Sequence, residues 1–100
     1  MSSIEPVTLP ESAVRDLLTQ PVDPEYPAAA KASGQRGSVV LQVLIGRDGV
    51  VRDAKFISGS LIFARASIDA ARQWRFKPYF MNGRAVSVQS MITLTFKPPA

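Results

Sequence analysis

The sequence contains no cysteine and no histidine among its 100 residues. Zinc sites of the usual Cys/His kind, thiol nucleophiles and Ser-His-Asp triads each need one of these side chains, so all three are excluded. The lack of cysteine fits either a reducing or an oxidising compartment, because a domain with an adequate core needs no disulfide. We expect neither a metal nor a cofactor.

The sequence also lacks a long apolar run. No stretch approaches the roughly 18 residues that a membrane-spanning helix needs. The start, MSSIEPVTLPESAV, has neither the basic region nor the apolar region of a signal peptide. We therefore expect no membrane anchor and no export signal in this chain. Its length suits one domain, which we place at residues 21–100, after an extension with a short helix at residues 1–20.

Acidic residues are scarce beyond residue 25. Residues 1–25 hold five acids and one base, a net charge of −4, whereas residues 26–100 hold three acids and eleven bases, a net charge of +8. A basic body attracts anionic partners, although these bases are spaced singly along the chain. Its three carboxylates fit a turn, a bulge and a helix surface. We expect no enzyme, because general acid–base catalysis needs a pair of groups held in a pocket.

Proline and glycine divide the first half of the chain into short elements. A short extended piece at 7–10 precedes a weak helix that ends by residue 18. The segment PVDPEYP at 21–27 must run extended, since each proline also excludes its predecessor from the α region, and Tyr26 is its one anchoring side chain. The alanine-rich run that follows predicts a two-turn helix that stops at Gly34.

Alternation of apolar and polar residues predicts two strands in the middle of the chain. The first runs from Gly37 to Gly46, the sequence RDG at 47–49 forms a turn, and the return strand ends at Gly59. Val51 lies on the opposite parity to the later apolar residues of that strand. A bulge near Arg52-Asp53 is therefore predicted, because it would turn all of them inward.

The segment DAARQWRFKPYF, residues 69–80, interleaves four aromatic rings with basic residues. Single-stranded nucleic-acid binders use this pattern to stack bases. Helical spacing instead places Trp74 on one stripe of small residues with Phe63, which predicts a helix that lies close against a sheet and is stopped by Pro78. We therefore interpret the segment as a signature of the fold, with its rings mostly in the core.

The C-terminal region contains the clearest strand pattern. Asn82-Gly83 is a strong signal for a tight hairpin. Strict alternation from Val86 to Phe96 then predicts a one-sided strand of about 12 residues. The stretch 85–95 carries no charge. An uncovered strand edge is a template for another strand, so the sequence predicts pairing with a peptide or with a second copy of the chain here.

The elements follow one another in the order helix, strand, strand, helix and long strand. This order predicts an α+β fold, in which a three-stranded antiparallel sheet carries two main helices on one face.

Several short motifs follow one another in a specific order and spacing. They are P-x-Y-P at 24–27, G-x-V-x-L at 37–41, D-G-x-V at 48–51, S-G at 58–59, W-R-F-x-P at 74–78, N-G at 82–83 and T-F at 95–96. Together they resemble the C-terminal domain of the TonB energy-transducer family over about residues 21–97. The Y-P start and the W-R-F-x-P block are the most specific parts of this resemblance, which implies the fold of that domain.

The resemblance also implies a function and a location. It implies a periplasmic domain, tethered to the inner membrane in the full-length protein, that adds the TonB box of an outer-membrane transporter as a strand beside its last long strand. ExbB and ExbD would couple proton flow to opening of the transporter. The segment around P-x-Y-P also touches the receptor in that family. Carried over, the partner-binding residues are Asp23, Pro24, Glu25, Tyr26, Pro27, Val86, Ser87, Val88, Gln89, Ser90, Met91, Ile92, Thr93, Leu94 and Thr95.

Two features depart from the family pattern. The chain shows no N-terminal membrane helix or Pro-rich spacer, which implies an excised domain, and Asp23 stands where some relatives carry glutamine. Two other functions stay open, namely a TonB-like scaffold or sensing module of a larger membrane protein and a small basic nucleic-acid-binding domain. The open edge could also pair with itself in a strand-exchanged dimer.

Overall fold

The structure is a computed structural model that describes residues 6–97. The helices are α1 (Glu11–Asp16), α2 (Ala28–Ala32) and α3 (Ala64–Gln73), and a 3₁₀ turn at Leu61–Phe63 precedes α3. The strands are β1 (Val7–Thr8), β2 (Leu18–Gln20), β3 (Gly37–Ile45), β4 (Val51–Gly59), β5 (Arg75–Phe76), β6 (Tyr79–Met81), β7 (Arg84–Val86) and β8 (Val88–Phe96). No helix in this part of the chain has the length and apolar character needed to cross a membrane.

The main sheet has four strands in the order β1-β8-β3-β4. The three long strands are antiparallel neighbours, as the sequence predicts. The prediction of a three-stranded sheet is nevertheless incomplete, because β1 adds to the free side of β8 in the parallel direction. Pro6 and Pro10 flank β1 and favour an extended backbone there, but only the folded chain brings this segment to β8.

Two bulges bend β4 against β3. Leu44 pairs with Asp53 and Ile45 pairs with Val51, so Arg52 is the extra residue, and the predicted bulge is confirmed. A second irregularity, which the sequence analysis missed, leaves Ile57 as an extra residue, and this side chain is 45% exposed. The first bulge turns Val51 into the core.

The core lies between one face of the sheet and the helices. Alternate residues of β3 and β8 are buried on this face, whereas the residues between them are exposed or half-buried. The stripe of small residues predicted for α3 is confirmed, since Ser67, Ala70 and Ala71 are buried there. Small side chains let the α3 backbone lie close to the sheet. Immediately before α3, Phe63 stacks on Phe96 with ring centroids 4.2 Å apart.

The predicted role of Trp74 as a core anchor is confirmed. Its side chain is only 5% exposed, and its indole N–H donates a hydrogen bond of 2.8 Å to the Val22 carbonyl. Phe76 is equally buried, but Phe80 at the next hairpin is 61% exposed. The rings of this segment are therefore mostly core, with Phe80 as the exception.

The predicted hairpin at Asn82-Gly83 is confirmed, and both residues have the positive φ that a tight hairpin turn needs. The predicted strand of about 12 residues is wrong in length, because it is interrupted at Ser87. β7 pairs only with β6 in a separate two-stranded sheet, and β8 begins at Val88 in the main sheet. The two parts have different pairing partners, so one continuous strand cannot satisfy both.

Gly49 and Gly83 both have positive φ, of +82° and +79°, but only Gly49 has backbone against it. A Cβ at Gly49 would clash with the Phe76 carbonyl oxygen, whereas a Cβ at Gly83 would meet open space. We expect Gly83→Ala to lower the free energy of unfolding by about 1–2 kcal/mol through backbone strain. Gly49→Ala should cost about 1–3 kcal/mol more. Equal urea midpoints for the two variants would contradict this account.

The bond from Trp74 to Val22 ties the lead-in segment to the end of α3. Trp74→Phe removes the donor and leaves a carbonyl unsatisfied in a largely buried site, so we expect a loss of about 1–3 kcal/mol in the free energy of unfolding. Phe80→Leu is the control, because a substitution at an exposed ring should stay within about 0.5 kcal/mol. Chemical denaturation followed by far-UV circular dichroism measures both, and a Trp74→Phe variant as stable as this control would refute the assignment.

Candidate functional site

The outer edge of β8 is the side of the strand that faces away from β3, and the N-terminal part of the chain lies against it. Val7 and Thr8 pair in register with Val88 and Gln89. The Val7 N–H donates to the Ser87 carbonyl at 2.9 Å. Two residues later, the Leu9 N–H donates to the Gln89 carbonyl at 3.0 Å. The edge that the sequence analysis expected to be open is thus already paired over its first residues.

A second set of contacts lies further along the same edge, at Thr93. Its N–H donates to one carboxylate oxygen of Glu11 at 2.8 Å, and its hydroxyl donates to the other at 3.1 Å. The Arg15 guanidinium donates to the Thr93 carbonyl at 2.6 Å. One residue of β8 therefore has its backbone N–H and its C=O both bonded to side chains of α1. We call residues 7–15 the N-terminal clamp.

Glu11 is ionised in this arrangement. Its partial burial opposes ionisation and would raise the pKa. The hydrogen bonds from Thr93 and Arg15, together with the positive charge of Arg15, outweigh that effect and hold the pKa of Glu11 below that of a free glutamate. Arg15 lies 3.0 Å from the Glu11 carboxylate and stacks over the Trp74 ring, 5.5 Å from its centroid. The clamp is thus connected to the W-R-F-x-P block.

A cleft of about 240 Å³ lies between the clamp and the sheet. On the clamp side it is lined by Leu9 and Pro10, and on the sheet side by Gln42, Ser90 and Met91. The Ser90 hydroxyl, which is buried, donates to the Leu9 carbonyl at 2.7 Å. The cleft is open to solvent at Met91, which is 43% exposed.

The predicted residues of the last strand lie partly in β8, where they alternate between the two faces of the sheet, and partly before it. Val88, Ser90, Ile92 and Leu94 face the core and are buried, so their side chains contribute to folding. The side chains that alternate with them, those of Gln89, Met91, Thr93 and Thr95, lie on the other face of the sheet and are half-buried or exposed.

The remaining two residues of that prediction lie before β8. Val86 pairs with Tyr79 in the separate β6–β7 hairpin and does not take part in the outer edge. Ser87 lies at the break, where its carbonyl accepts the bond from the clamp.

The predicted lead-in contact, Asp23 to Pro27, lies beside α3 and the C-terminal end of β8. Tyr26 packs edge-on against Phe63 and Phe96, with centroid distances of 5.5 and 5.9 Å, and its hydroxyl donates to the Gln35 carbonyl. This side chain is therefore an internal anchor, as expected. Its neighbours Asp23 and Glu25 are exposed and accessible to a partner, whereas Pro24 and Pro27 are half-buried.

Sequence reasoning missed the contacts between the clamp and β8. It placed a short extended piece and a weak helix there, but it assigned no partner to Val7, Leu9 or Glu11. The only local signal is that Pro6 and Pro10 enclose an extended tripeptide, Val7 to Leu9. The contacts to β8 join residues about 80 positions apart, as between Glu11 and Thr93. No periodicity within a segment reports a contact of that range.

A comparison with protein families matches residues 22–98 to the family described as Gram-negative bacterial TonB protein C-terminal. The TonB protein of Vibrio cholerae is 26% identical to this chain over 83 residues, which are 81% of this chain and 34% of that protein. The TonB protein of Xanthomonas campestris is 32% identical over 75 residues, which are 73% of this chain and 34% of that protein. The chain thus spans about a third of the length of the curated relatives it matches.

Solved structures show the same similarity. The solution NMR structure of the Pseudomonas aeruginosa TonB C-terminal domain superposes with a TM-score of 0.68 at 30% identity, over 80% of this chain and 83% of that chain. The TonB2 protein of Vibrio anguillarum superposes with a TM-score of 0.60 at 26% identity, over 78% of this chain and 76% of that chain. Since the family match extends from residue 22 almost to the last residue, the chain belongs to the TonB C-terminal family.

Proposed function

We propose that this domain binds the TonB box of an outer-membrane transporter by adding it as a strand beside β8. The observation that supports this proposal is the pairing of an extended segment with the outer edge of β8, at the Ser87 and Gln89 carbonyls. The edge therefore presents its backbone groups in a geometry that a strand can use. Main-chain bonds supply most of the affinity, and the exposed side chains beside the edge, such as Met91, give some selection among partner side chains.

Strand addition of this kind gives a low binding affinity. About six backbone hydrogen bonds at about 0.5–1.5 kcal/mol each give a few kcal/mol, and ordering a flexible peptide offsets much of that gain. A dissociation constant in the micromolar range or weaker follows. Such an affinity suits a contact that must form and release repeatedly.

The exposed part of the lead-in supplies a second contact in this proposal. Asp23 and Glu25 lie on the surface next to the rigidly anchored Tyr26. The rest of the body carries the +8 charge of residues 26–100. It attracts acidic segments of a transporter at low ionic strength. Pairing at β8 and contacts at the lead-in together would hold two points of the receptor.

The cellular role is part of the same proposal, and family membership supports it. The domain lies in the periplasm, tethered to the inner membrane in the full-length protein. There, ExbB and ExbD couple the proton gradient to opening of the transporter. The chemistry expected of the domain itself is binding and mechanical coupling, without catalysis.

The structure gives less support to nucleic-acid binding than the sequence did. Trp74 and Phe76 are each 5% exposed, so two of the four rings in the DAARQWRFKPYF segment have no free face for a base. Stacking on such rings is what makes single-strand binding tolerant of sequence. The basic residues near them would bind phosphates only by charge.

Strand addition makes a specific prediction about the peptide. Alternate N–H groups of a strand face the same neighbour, so N-methylation of every second residue of a TonB-box peptide should abolish binding. N-methylation of the intervening residues should leave the dissociation constant within about threefold of the unmodified peptide, because those N–H groups face away from β8. Isothermal titration calorimetry measures both series.

Chemical shifts of the ¹⁵N-labelled protein locate the contact in the same samples. We expect changes concentrated at residues 87–95. Equal sensitivity of both peptide series, or shifts spread over the arginines, would contradict strand addition at β8. The nucleic-acid alternative would instead give binding of single-stranded oligonucleotides, with log affinity falling by about 0.7 per log unit of salt for each phosphate contacted.

A further inference from the structure

The N-terminal clamp occupies the same backbone groups that the proposed function assigns to a partner. It covers Ser87 and Gln89 by strand pairing, and it covers Thr93 by the side chains of Glu11 and Arg15. The clamp spans residues 7–15, which lie outside the range of 22–98 that matches the family. The common family fold therefore does not account for this contact.

We propose that the N-terminal clamp is an intramolecular competitor for the strand-addition edge of β8, and that a partner strand binds by displacing it. This inference rests on the proposed function. One set of carbonyls cannot accept hydrogen bonds from two strands on the same side, so occupancy by the clamp and occupancy by a partner exclude each other.

The clamp has a fixed end and a releasable end. Val14 is completely buried in the core, and the Leu17 carbonyl accepts a 2.7 Å hydrogen bond from the Lys77 N–H, so α1 and the chain after it stay in place. Val7 and Leu9 are only half-buried, and Thr8 is exposed. The part that leaves is thus the strand before α1.

Pro10 marks the boundary between these two parts. It sits at the start of α1 with an extended backbone, φ −67° and ψ 158°. Rotation there would swing the strand away from β8 without unfolding the helix.

Glu11 lies at the junction of these two ends. We call the hydrogen bond that its carboxylate accepts from the Thr93 N–H the latch. Glu11 begins α1, and its carboxylate holds the Thr93 N–H that a partner strand would need. A carboxylate that accepts a backbone N–H forms a charge-assisted bond, which is stronger than a neutral one. A partner strand that pairs with β8 as far as Thr93 therefore requires Glu11 to leave the Thr93 N–H.

Competition has a measurable consequence. The apparent dissociation constant of the partner equals its intrinsic value divided by the fraction of molecules whose edge is free. Changes that weaken the clamp should therefore increase affinity for a TonB-box peptide, although they touch no residue of β8. A purely structural role for residues 7–15 would give no gain in affinity.

A pair of proline substitutions tests the strand. Val7→Pro removes the N–H that bonds to Ser87, whereas Thr8→Pro removes an N–H that points away from β8, between two that point toward it. We expect Val7→Pro to lower the dissociation constant for the TonB-box peptide about three- to tenfold, as loss of one hydrogen bond allows. Thr8→Pro should change it by less than about twofold, because it breaks no bond to β8.

A pair of charge substitutions tests the latch. Glu11→Gln should raise affinity for the peptide and should speed hydrogen exchange of the Thr93 amide in the free protein. Asp16→Asn removes the same charge from an exposed position on the same helix and should do neither. Amide exchange is read without any peptide, and faster exchange at Thr93 relative to the amides of β3 reports on the latch even where a variant is less stable overall.

A disulfide lock tests displacement directly. The chain has no cysteine, and Thr8 and Gln89 are paired in register, so Thr8→Cys together with Gln89→Cys can close the clamp. The oxidised protein should lose peptide binding, and reduction should restore it. Folding is checked in both states by the ¹⁵N spectrum, and each single-cysteine variant controls for the substitution itself.

The outcomes separate this inference from the proposed function. If the peptide binds with the alternating N-methyl pattern but Val7→Pro and the lock leave its affinity unchanged, the competitor role is overturned and strand addition stands. If no variant binds the peptide, including Val7→Pro with its clamp weakened, the proposed function fails and the competitor role fails with it.

Discussion

The pairing of β3 with β8 is the interaction on which the rest of the structure depends. It runs without interruption from Gly37 opposite Phe96 to Ile45 opposite Val88. Such a register fixes the parity of both strands, because a slip by one residue would move every apolar side chain to the other face. It sets the buried face on which α3 lies, and it also sets which backbone groups of β8 point outward. The fold and the outward-facing groups of β8 thus depend on the same register.

An outward row of unpaired N–H and C=O groups is a liability in a free protein. Such edges pair with other chains, and proteins protect them with charge, with proline or with a covering segment. Under the proposed function, this domain must keep its edge usable and therefore cannot fill it permanently. A short parallel strand flanked by prolines and one carboxylate latch cover it with few bonds. In this interpretation the same contacts that protect the edge also set the threshold for a partner.

The W-R-F-x-P block shows how a pattern that suggests binding can serve folding. Its rings and bases resemble a stacking surface when the sequence is taken alone. Helical phase assigned Trp74 to the core stripe, and its bond to Val22 agrees with that assignment. The block still has an indirect link to the site, because Arg15 contacts both the Trp74 ring and the Thr93 carbonyl. Arg15 therefore contacts one residue of the core, Trp74, and one residue of the edge, Thr93.

The sequence by itself determined the local elements of this protein. Alternation, helical spacing and the Asn82-Gly83 turn predict the long strands, α3, the bulge at Arg52 and the hairpin, because each reflects forces between near neighbours. The predicted end of α3 at Pro78 is wrong, since the helix ends at Gln73 and β5 follows. Only the tertiary structure decided where the long final strand divides and what lies on its outer edge. A backbone edge presents the same N–H and C=O groups whatever its side chains are. Its partner therefore leaves almost no mark on the sequence, and it is settled only when the folded chain brings Val7 and Glu11 to β8.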